Sequence, residues 1–210
     1  MSVAVLQSSA GWLPSRAGHA TASMMNCVMD IKKDGNPGAK YIQYMAELIR
    51  ERATGRVTER PVTFWMKRGT EFEPEARARY EEHTGRIVAP AASVTHPTIE
   101  WSSATPDGFI GQDGLIEIKV PAPTTYTKWR IAKVVPDEHI PQMMFQLACT
   151  RRTWVDFCAY DPEDPKPGRA LFIRRFQPDP AEIAALEMKV KDFLTIVEAA
   201  FHAYSIEEPA

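Results

Sequence analysis

The stretch Trp101-Ser-Ser-Ala-Thr-Pro-Asp-Gly-Phe-Ile-Gly-Gln-Asp-Gly-Leu-Ile-Glu-Ile-Lys-Val-Pro121 constrains the chain more than any other. It reads as one hairpin. Pro106-Asp107-Gly108 ends the first arm, Gly111-Gln-Asp-Gly114 is a turn cluster able to reverse a strand, and Leu115 to Val120 is a short second arm. Side chains alternate across a strand, so Ile116, Ile118 and Val120 share one face and Glu117 and Lys119 the other. With Ile118 in the core, Glu117 and Lys119 stand together on a cleft wall. Asp107, on the preceding arm, can be brought opposite them.

An Asp followed by Glu-x-Lys admits two readings. Two carboxylates held close together repel unless a cation lies between them, and hard oxygen donors suit Mg²⁺ or Mn²⁺. Such an ion polarises a phosphoryl oxygen, and a neighbouring ammonium orients the attacking water, which is the outline of metal-assisted phosphodiester hydrolysis. Glu-x-Lys is also an everyday pair on solvated strands, beside an unrelated turn Asp. The trio alone leaves both readings open.

The rest of the chain bounds the setting of that hairpin. Its 210 residues, 44% of them hydrophobic, suffice for one large domain, so residues 1–210 are read as a single unit. Apolar runs are too short to span a membrane, and Met1–Ala10 lacks the basic start and long apolar core of a secretory leader. Cys27, Cys149 and Cys158 form no CxxC pair and no zinc pattern with the histidines, so buried thiols in a reducing cytoplasm are expected. A net charge of −2 argues against coating nucleic acid by bulk charge, while leaving room for local basic patches.

Helical spacing is clear at Tyr41, Tyr44, Met45, Leu48 and Ile49, and again at Val62, Trp65, Met66, Phe72, Ala76 and Tyr80. It predicts an amphipathic helix over 39–52 and a long one from Pro61 to a stop at Gly85, with Pro74 kinking or dividing the second. Glu73 falls on the apolar face of that long helix; a carboxylate there is unusual without a partner, which makes it a candidate for the cleft. Thr21 or Ser23 can cap a short helix at 24–28 beside Arg16, an arrangement that suits an anion and equally serves ordinary capping. Strands are expected at 86–95, 98–104, 154–160 and 170–176. Residues 125–133 mix basic and aromatic side chains on a short helix or loop. Helices are expected at 138–150, with Gln142 and Gln146 one turn apart on the same side, and at 179–204, opening on Asp179-Pro180. The order predicts an α/β fold, one mixed central β-sheet flanked by helices.

Ordered blocks along the chain extend the pattern. They are Trp12 with Arg16 and Thr21-Ala-Ser23; Gly69-Thr-Glu-Phe-Glu73-Pro-Glu-Ala-Arg77; Thr105-Pro-Asp107-Gly108 with Gly114-Leu-Ile-Glu117-Ile-Lys119-Val-Pro121; and His139-Ile-Pro-Gln142 with Thr150 and Tyr160-Asp-Pro162. From residue 12 to residue 161 the chain resembles the lambda-type phage exonucleases, also described as YqaJ-like viral recombinases, of the PD-(D/E)xK nuclease superfamily. The resemblance implies a PD-(D/E)xK restriction-endonuclease-like core. Position by position, it implies Asp107 and Glu117 as divalent-metal ligands, the Ile118 carbonyl as an extra ligand, and Glu73 joining from the long helix. It makes Lys119 the group that positions the attacking water and sets Gln142 near the scissile phosphate or that water. Arg16, Ser23 and Thr105 would hold a 5′-terminal phosphate.

The activity implied is Mg²⁺-dependent digestion, with Mn²⁺ as substitute, of one strand of linear double-stranded DNA, 5′ to 3′ from 5′-phosphorylated ends, leaving 3′ overhangs for recombination. The implied assembly is a homotrimeric ring beside a single-strand annealing protein, in the cytoplasm of a bacterium carrying the phage or prophage. Lys67, Arg68, Lys128, Arg130, Lys133, Arg151 and Arg152 are candidates for the ring lining, and each equally suits a plain solvated face. Two positions depart from the family pattern. Thr105 replaces a Ser and keeps its hydroxyl. His139, followed by Pro141, replaces a Tyr, which opens titration near neutral pH beside a hydrogen-bonding structural role. A structure- or site-specific endonuclease on the same core, and a DNA-end-binding module without the chemistry, are the other readings.

Overall fold

The hairpin begins later than its sequence suggests. In a computed structural model of the chain, which describes residues 16–206, the paired arms are β5 (Gly108–Ile110) and β6 (Gly114–Lys119), with Gly111 making the reversal at a φ of 55°. The expected first arm becomes β4 (Ser102–Ala104) and belongs to another sheet. Pro106 has no N–H to offer a ladder, and the residue before a proline is steered away from helix, so Thr105-Pro106 carries the chain out of one sheet before it enters the next.

The expectation of a single central sheet is therefore corrected to two. In the larger, the order is β2 (Val88–Ala89), β5, β6, β7 (Trp154–Tyr160), β8 (Leu171–Phe176); β6 and β7 are parallel and the other pairs antiparallel, so it is mixed as expected. The smaller has the order β1 (Ala20–Thr21), β4, β3 (Val94–Thr95), with β1 parallel to β4. Between them run α1 (Met25–Val28), α2 (Ala39–Thr54), α3 (Phe64–Thr84), α4 (Pro123–Ala132), α5 (Ile140–Thr150), α6 (Pro167–Ala170) and α7 (Pro180–Ser205). Asp179 and Glu182 close a capping box at the start of α7, where the Asp-Pro pair predicts a helix start. No helix among the described residues is long and apolar enough to cross a membrane.

β6 is an inner strand, so both its faces are covered. Ile116 and Ile118 pack with Ala76 and Tyr80 of α3. Leu115, on the other face, packs with Tyr126 of α4 and with Met143 and Leu147 of α5. Glu117 and Lys119 share the face of Leu115 and so look toward the α4–α5 crossover. A further core joins Tyr41, Tyr44 and Leu48 of α2 to Phe145 of α5 and to Val190 and Phe193 of α7.

The long helix α3 runs as one helix through Pro74, where a kink or a division was expected. Tyr80 pins it to the sheet: its hydroxyl donates to Asp156 at 2.6 Å, and Arg175 brackets the same carboxylate with two bonds of 2.9 Å. At the other end Arg68 donates to the Pro121 carbonyl at 2.7 Å and to Glu163 at 2.8 Å. At ~1.5 Å per helical residue against ~3.3 Å per strand residue, α3 spans about 31 Å and β6 only about 20 Å. The first turn of α3 therefore projects past the sheet, leaving Phe64, Trp65 and Met66 exposed by 69%, 45% and 52%, although the helical spacing places Trp65 and Met66 on an inward face.

Gly108 opens β5 against a crowded wall. A methyl there would overlap Val88 Cγ1 and come within 3.2 Å of the Ala89 carbonyl and of Ile116 Cγ2. Gly108→Ala is expected to cost about 1–3 kcal/mol through overpacking, seen as a lower urea midpoint with an unchanged slope.

Candidate active site

The β5–β6 ladder ends at the pair Gly108↔Ile116. Two residues on, the Ile118 N–H has no strand partner on that side, and Asp107 supplies one: its Oδ2 accepts from Ile118 N at 2.6 Å. The side chain of Asp107 thus continues the ladder by one bond. This ties the crossing between the two sheets to the strand that carries Glu117 and Lys119.

Glu117 is only 1% exposed. A buried carboxylate needs donors on both oxygens, and α5 provides them. Gln142 Nε2 donates to Oε1 and Gln146 Nε2 to Oε2, each at 2.6 Å. The Lys119 ammonium pairs with Oε1 as well. Pro141 lies within the first two positions of α5, where its missing N–H costs nothing, and the two glutamines follow four residues apart on one face. Gln142 acts on Glu117 here, while Gln146 is a participant that the sequence reading leaves aside. The signal for it was the glutamine pair on an otherwise apolar helix face.

The charges here act on one another. Burial pushes the Asp107 carboxyl well above its ordinary range, Glu117 and Glu73 push the same way, and Lys119 and the Ile118 N–H only partly offset them. Burial pulls the Lys119 ammonium down, yet Glu117, Asp107 and Glu73 outweigh it and raise it overall. Glu73 is felt by both groups across space, while its own Oε1 accepts from Arg77 at 2.8 Å. As the side chains stand, no three acidic, His or Cys groups among the described residues close on a point that could hold a metal. The oxygens of Glu117 are taken by glutamines and lysine, and Glu73 is turned to Arg77. The donor set is nonetheless all hard oxygen, with the Ile118 carbonyl beyond the last β5–β6 pair, and the unbalanced negative field at Asp107 fits a cation.

The small sheet arranges the other candidates. β1 and β4 are parallel with Thr21 opposite Ser103, so Ser23 and Thr105 both lie just past the same ends of the two strands. Thr105 is two residues from Asp107. Ser23 is exposed and 3.4 Å from the Thr21 hydroxyl. Arg16 precedes β1 in the chain, yet its guanidinium acts on Tyr44, whose hydroxyl accepts from the Thr21 N–H at 2.9 Å; burial pulls that guanidinium below its ordinary value, against Tyr44 and Glu51. Trp12 falls outside the described residues.

Two expectations are corrected. Arg68 does not line a basic channel: it is 5% exposed and held by the Pro121 carbonyl, Glu163 and Asp161. His139 does not titrate near neutrality. Its ring stacks on Phe157 and meets Trp129 edge-on, and its Nε2 is buried without a hydrogen-bond partner. Burial, with Lys119 adding to it, drives its pKa down to about 4.

That shift has a sign. An unfolded histidine takes up its proton near ~6.5, the folded one only near about 4. Between those values the unfolded chain binds more protons, so stability is lost as pH falls through the window. His139→Phe is expected to lose less stability than the native chain between pH 7 and pH 5, as measured by urea denaturation at both values.

Comparison with known proteins places this geometry. The model of the YqaJ-like viral recombinase domain matches residues 11–153. The chain is 40% identical to an alkaline exonuclease (LHK-Exo) from Laribacter hongkongensis, covering 93% of this chain and 96% of that one, with a TM-score of 0.85. Against the same exonuclease in complex with dAMP the TM-score is 0.86, at the same identity and coverage. A phage related exonuclease from Haemophilus somnus 129PT, 13% identical over 89% of this chain and 96% of its own, shares the fold at a TM-score of 0.67. No curated protein sequence matches the chain. With two thirds of its length matched by one family model and nearly all of it by a solved relative, the chain belongs to the YqaJ-like viral recombinase family.

Proposed function

We propose that the chain is a divalent-metal-dependent DNA exonuclease. It degrades one strand of linear duplex DNA, 5′ to 3′ from 5′-phosphorylated ends, and leaves 3′ overhangs for single-strand-annealing recombination. The observation that carries this reading is the convergence of Asp107, Glu117 and Lys119 at one end of β6, in a chain so like an alkaline exonuclease.

Asp107, Glu117, the Ile118 carbonyl and Glu73 would hold the cation, Mg²⁺ or its substitute Mn²⁺. When bound, it supplies charge neutralisation and polarisation of the scissile phosphoryl oxygen. The chain's own residues do the rest. Asp107 is held by a strand N–H and Glu117 by two amides, so both are preorganised before substrate arrives. Burial pulls Lys119 down, but Glu117, Asp107 and Glu73 raise it overall, so it stands as an ammonium beside them; it serves as a donor that orients the attacking water and faces the phosphoryl oxygens. Gln142 is the less buried of the two amides and is the one within reach of that water. The hydroxyls of Ser23 and Thr105, with the Arg16 guanidinium, would receive the 5′-phosphate close to Asp107.

The chain would act as a homotrimeric ring in the bacterial cytoplasm, handing the 3′ strand to a single-strand annealing protein. Enclosure reconciles a subunit of net charge −2 with a grip on DNA. With end-labelled linear duplex and Mg²⁺, Lys119→Ala is expected to slow mononucleotide release by about 10²–10³-fold, the range for loss of one preorganised donor, in a variant that still melts cooperatively, at a lower temperature because Glu117 loses one partner. Retention of wild-type release by that variant would sink the reading, and cutting of covalently closed circles would turn it toward an endonuclease. Arg16→Ala is expected to erase the preference for 5′-phosphate over 5′-hydroxyl ends, a ratio measured on the two duplexes side by side.

A further inference from the structure

Behind Glu117, at the interface of sheet and helix, the side chain of Gln146 is fully buried and satisfied at one end only. Its Nε2 donates to Glu117 Oε2 at 2.6 Å, while its Oε1 has no hydrogen-bond partner. The amide cannot be turned over, because Oε1 would then face a carboxylate oxygen. Its neighbours along α5, Met143, Phe145 and Leu147, are buried and apolar. An unmet carbonyl in such a place costs free energy. A methionine would fill nearly the same volume without that cost. What the glutamine adds over a methionine is its bond to Glu117.

We propose that Gln146 is a positioning residue for the Glu117 carboxylate, an inference that rests on the hydrolase reading of Glu117. Gln146 holds the inner oxygen, Oε2, and so fixes the plane of the carboxylate. The outer oxygen, Oε1, shared by Gln142 and Lys119, is thereby presented toward the side where Lys119 is 29% exposed. One glutamine anchors the carboxylate from behind and the other works at the cleft, so the two amides have different tasks although they make bonds of equal length. A carboxylate free to rotate would offer a cation a blurred set of oxygens, and partners that orient metal-binding carboxylates tune affinity for that reason.

Two variants of the full-length chain test it. Gln146→Met removes the donor and the unmet acceptor together; Gln146→Asn keeps the amide but withdraws it by one methylene. Mn²⁺ binding is measured by calorimetry without DNA, and hydrolysis of end-labelled linear duplex by steady-state kinetics. Both variants are expected to melt cooperatively, to bind Mn²⁺ about 10–100-fold more weakly, and to lose kcat with KM for DNA unchanged, part of the loss being recovered at high Mn²⁺. Unchanged Mn²⁺ affinity in either folded variant overturns the proposal, and so does KM rising in place of kcat falling. If only the asparagine variant folds, its Mn²⁺ affinity decides; if neither folds, the residue is structural and the proposal fails. A native chain that binds Mn²⁺ but hydrolyses no DNA would refute the exonuclease reading alone, and the affinity comparison would still decide the role of Gln146.

Discussion

A carboxylate buried in the middle of a sheet has to be answered by its surroundings, and Glu117 sets what those surroundings are. Leaving it unpaired would cost several kcal/mol, whereas each hydrogen bond to a charged group returns roughly 1.5–3 kcal/mol. Two amides and an ammonium meet it. The topology makes this possible. β6 and β7 are parallel neighbours, and parallel strands need a long crossover, here α4 and α5. The crossover that closes the sheet also lays a helix over the Glu117 face, so fold closure and carboxylate support come from one segment.

The same economy joins the two sheets. β4 belongs to the small sheet and β5 to the large one, and only Thr105-Pro106-Asp107 lies between them. The small sheet fixes Thr105 beside the end of β1, near Ser23, and the large sheet fixes Asp107 through the Ile118 N–H. Whatever binds at the ends of β1 and β4 is thereby placed a few residues from the acids by a backbone held at both ends. Gly108, with no room for a side chain, is what lets this short crossing turn directly into β5.

Much of this was legible in the sequence, for identifiable reasons. Strand alternation is strict, so placing Ile118 in the core fixes the face of Glu117 and Lys119 without knowledge of any partner. Asp179-Pro180 announced α7 because capping is a local matter. What stayed hidden depends on distant partners. Strands of two or three residues, such as β1, β3 and β4, carry too few side chains to declare their sheet, so β4 read as part of the hairpin. The spacing along α3 marked one continuous inward face, but how far a helix overhangs a sheet depends on where the sheet ends. Asp156 is met by Tyr80 and Arg175 from other elements, partners that its own stretch of sequence does not announce. Gln146 and His139 are similar cases: one is defined by a carboxylate 29 residues away, the other by aromatic rings from α4 and β7.

The electrostatics of the site point one way. Asp107 is pushed toward its neutral form, first by burial and then by Glu117 and Glu73, while Lys119 is held in its charged form against burial by Glu117, Asp107 and Glu73, so the local field is negative and favours added positive charge. For a buried lysine this is informative, because burial alone moves it the other way. Asp107, Glu117 and Glu73 stand against Lys119, with Arg77 already engaged by Glu73. A phosphodiester entering that field is repelled before it is bound, and one ammonium paired to Glu117 does not reverse the sign. On the proposed reading, such a site has to acquire further positive charge first, and the hard oxygens lining it would favour a small divalent cation over a softer ion. On that same reading, the acidity that makes the chain look ill-suited to nucleic acid is a requirement of the chemistry, concentrated where the backbone would be cut.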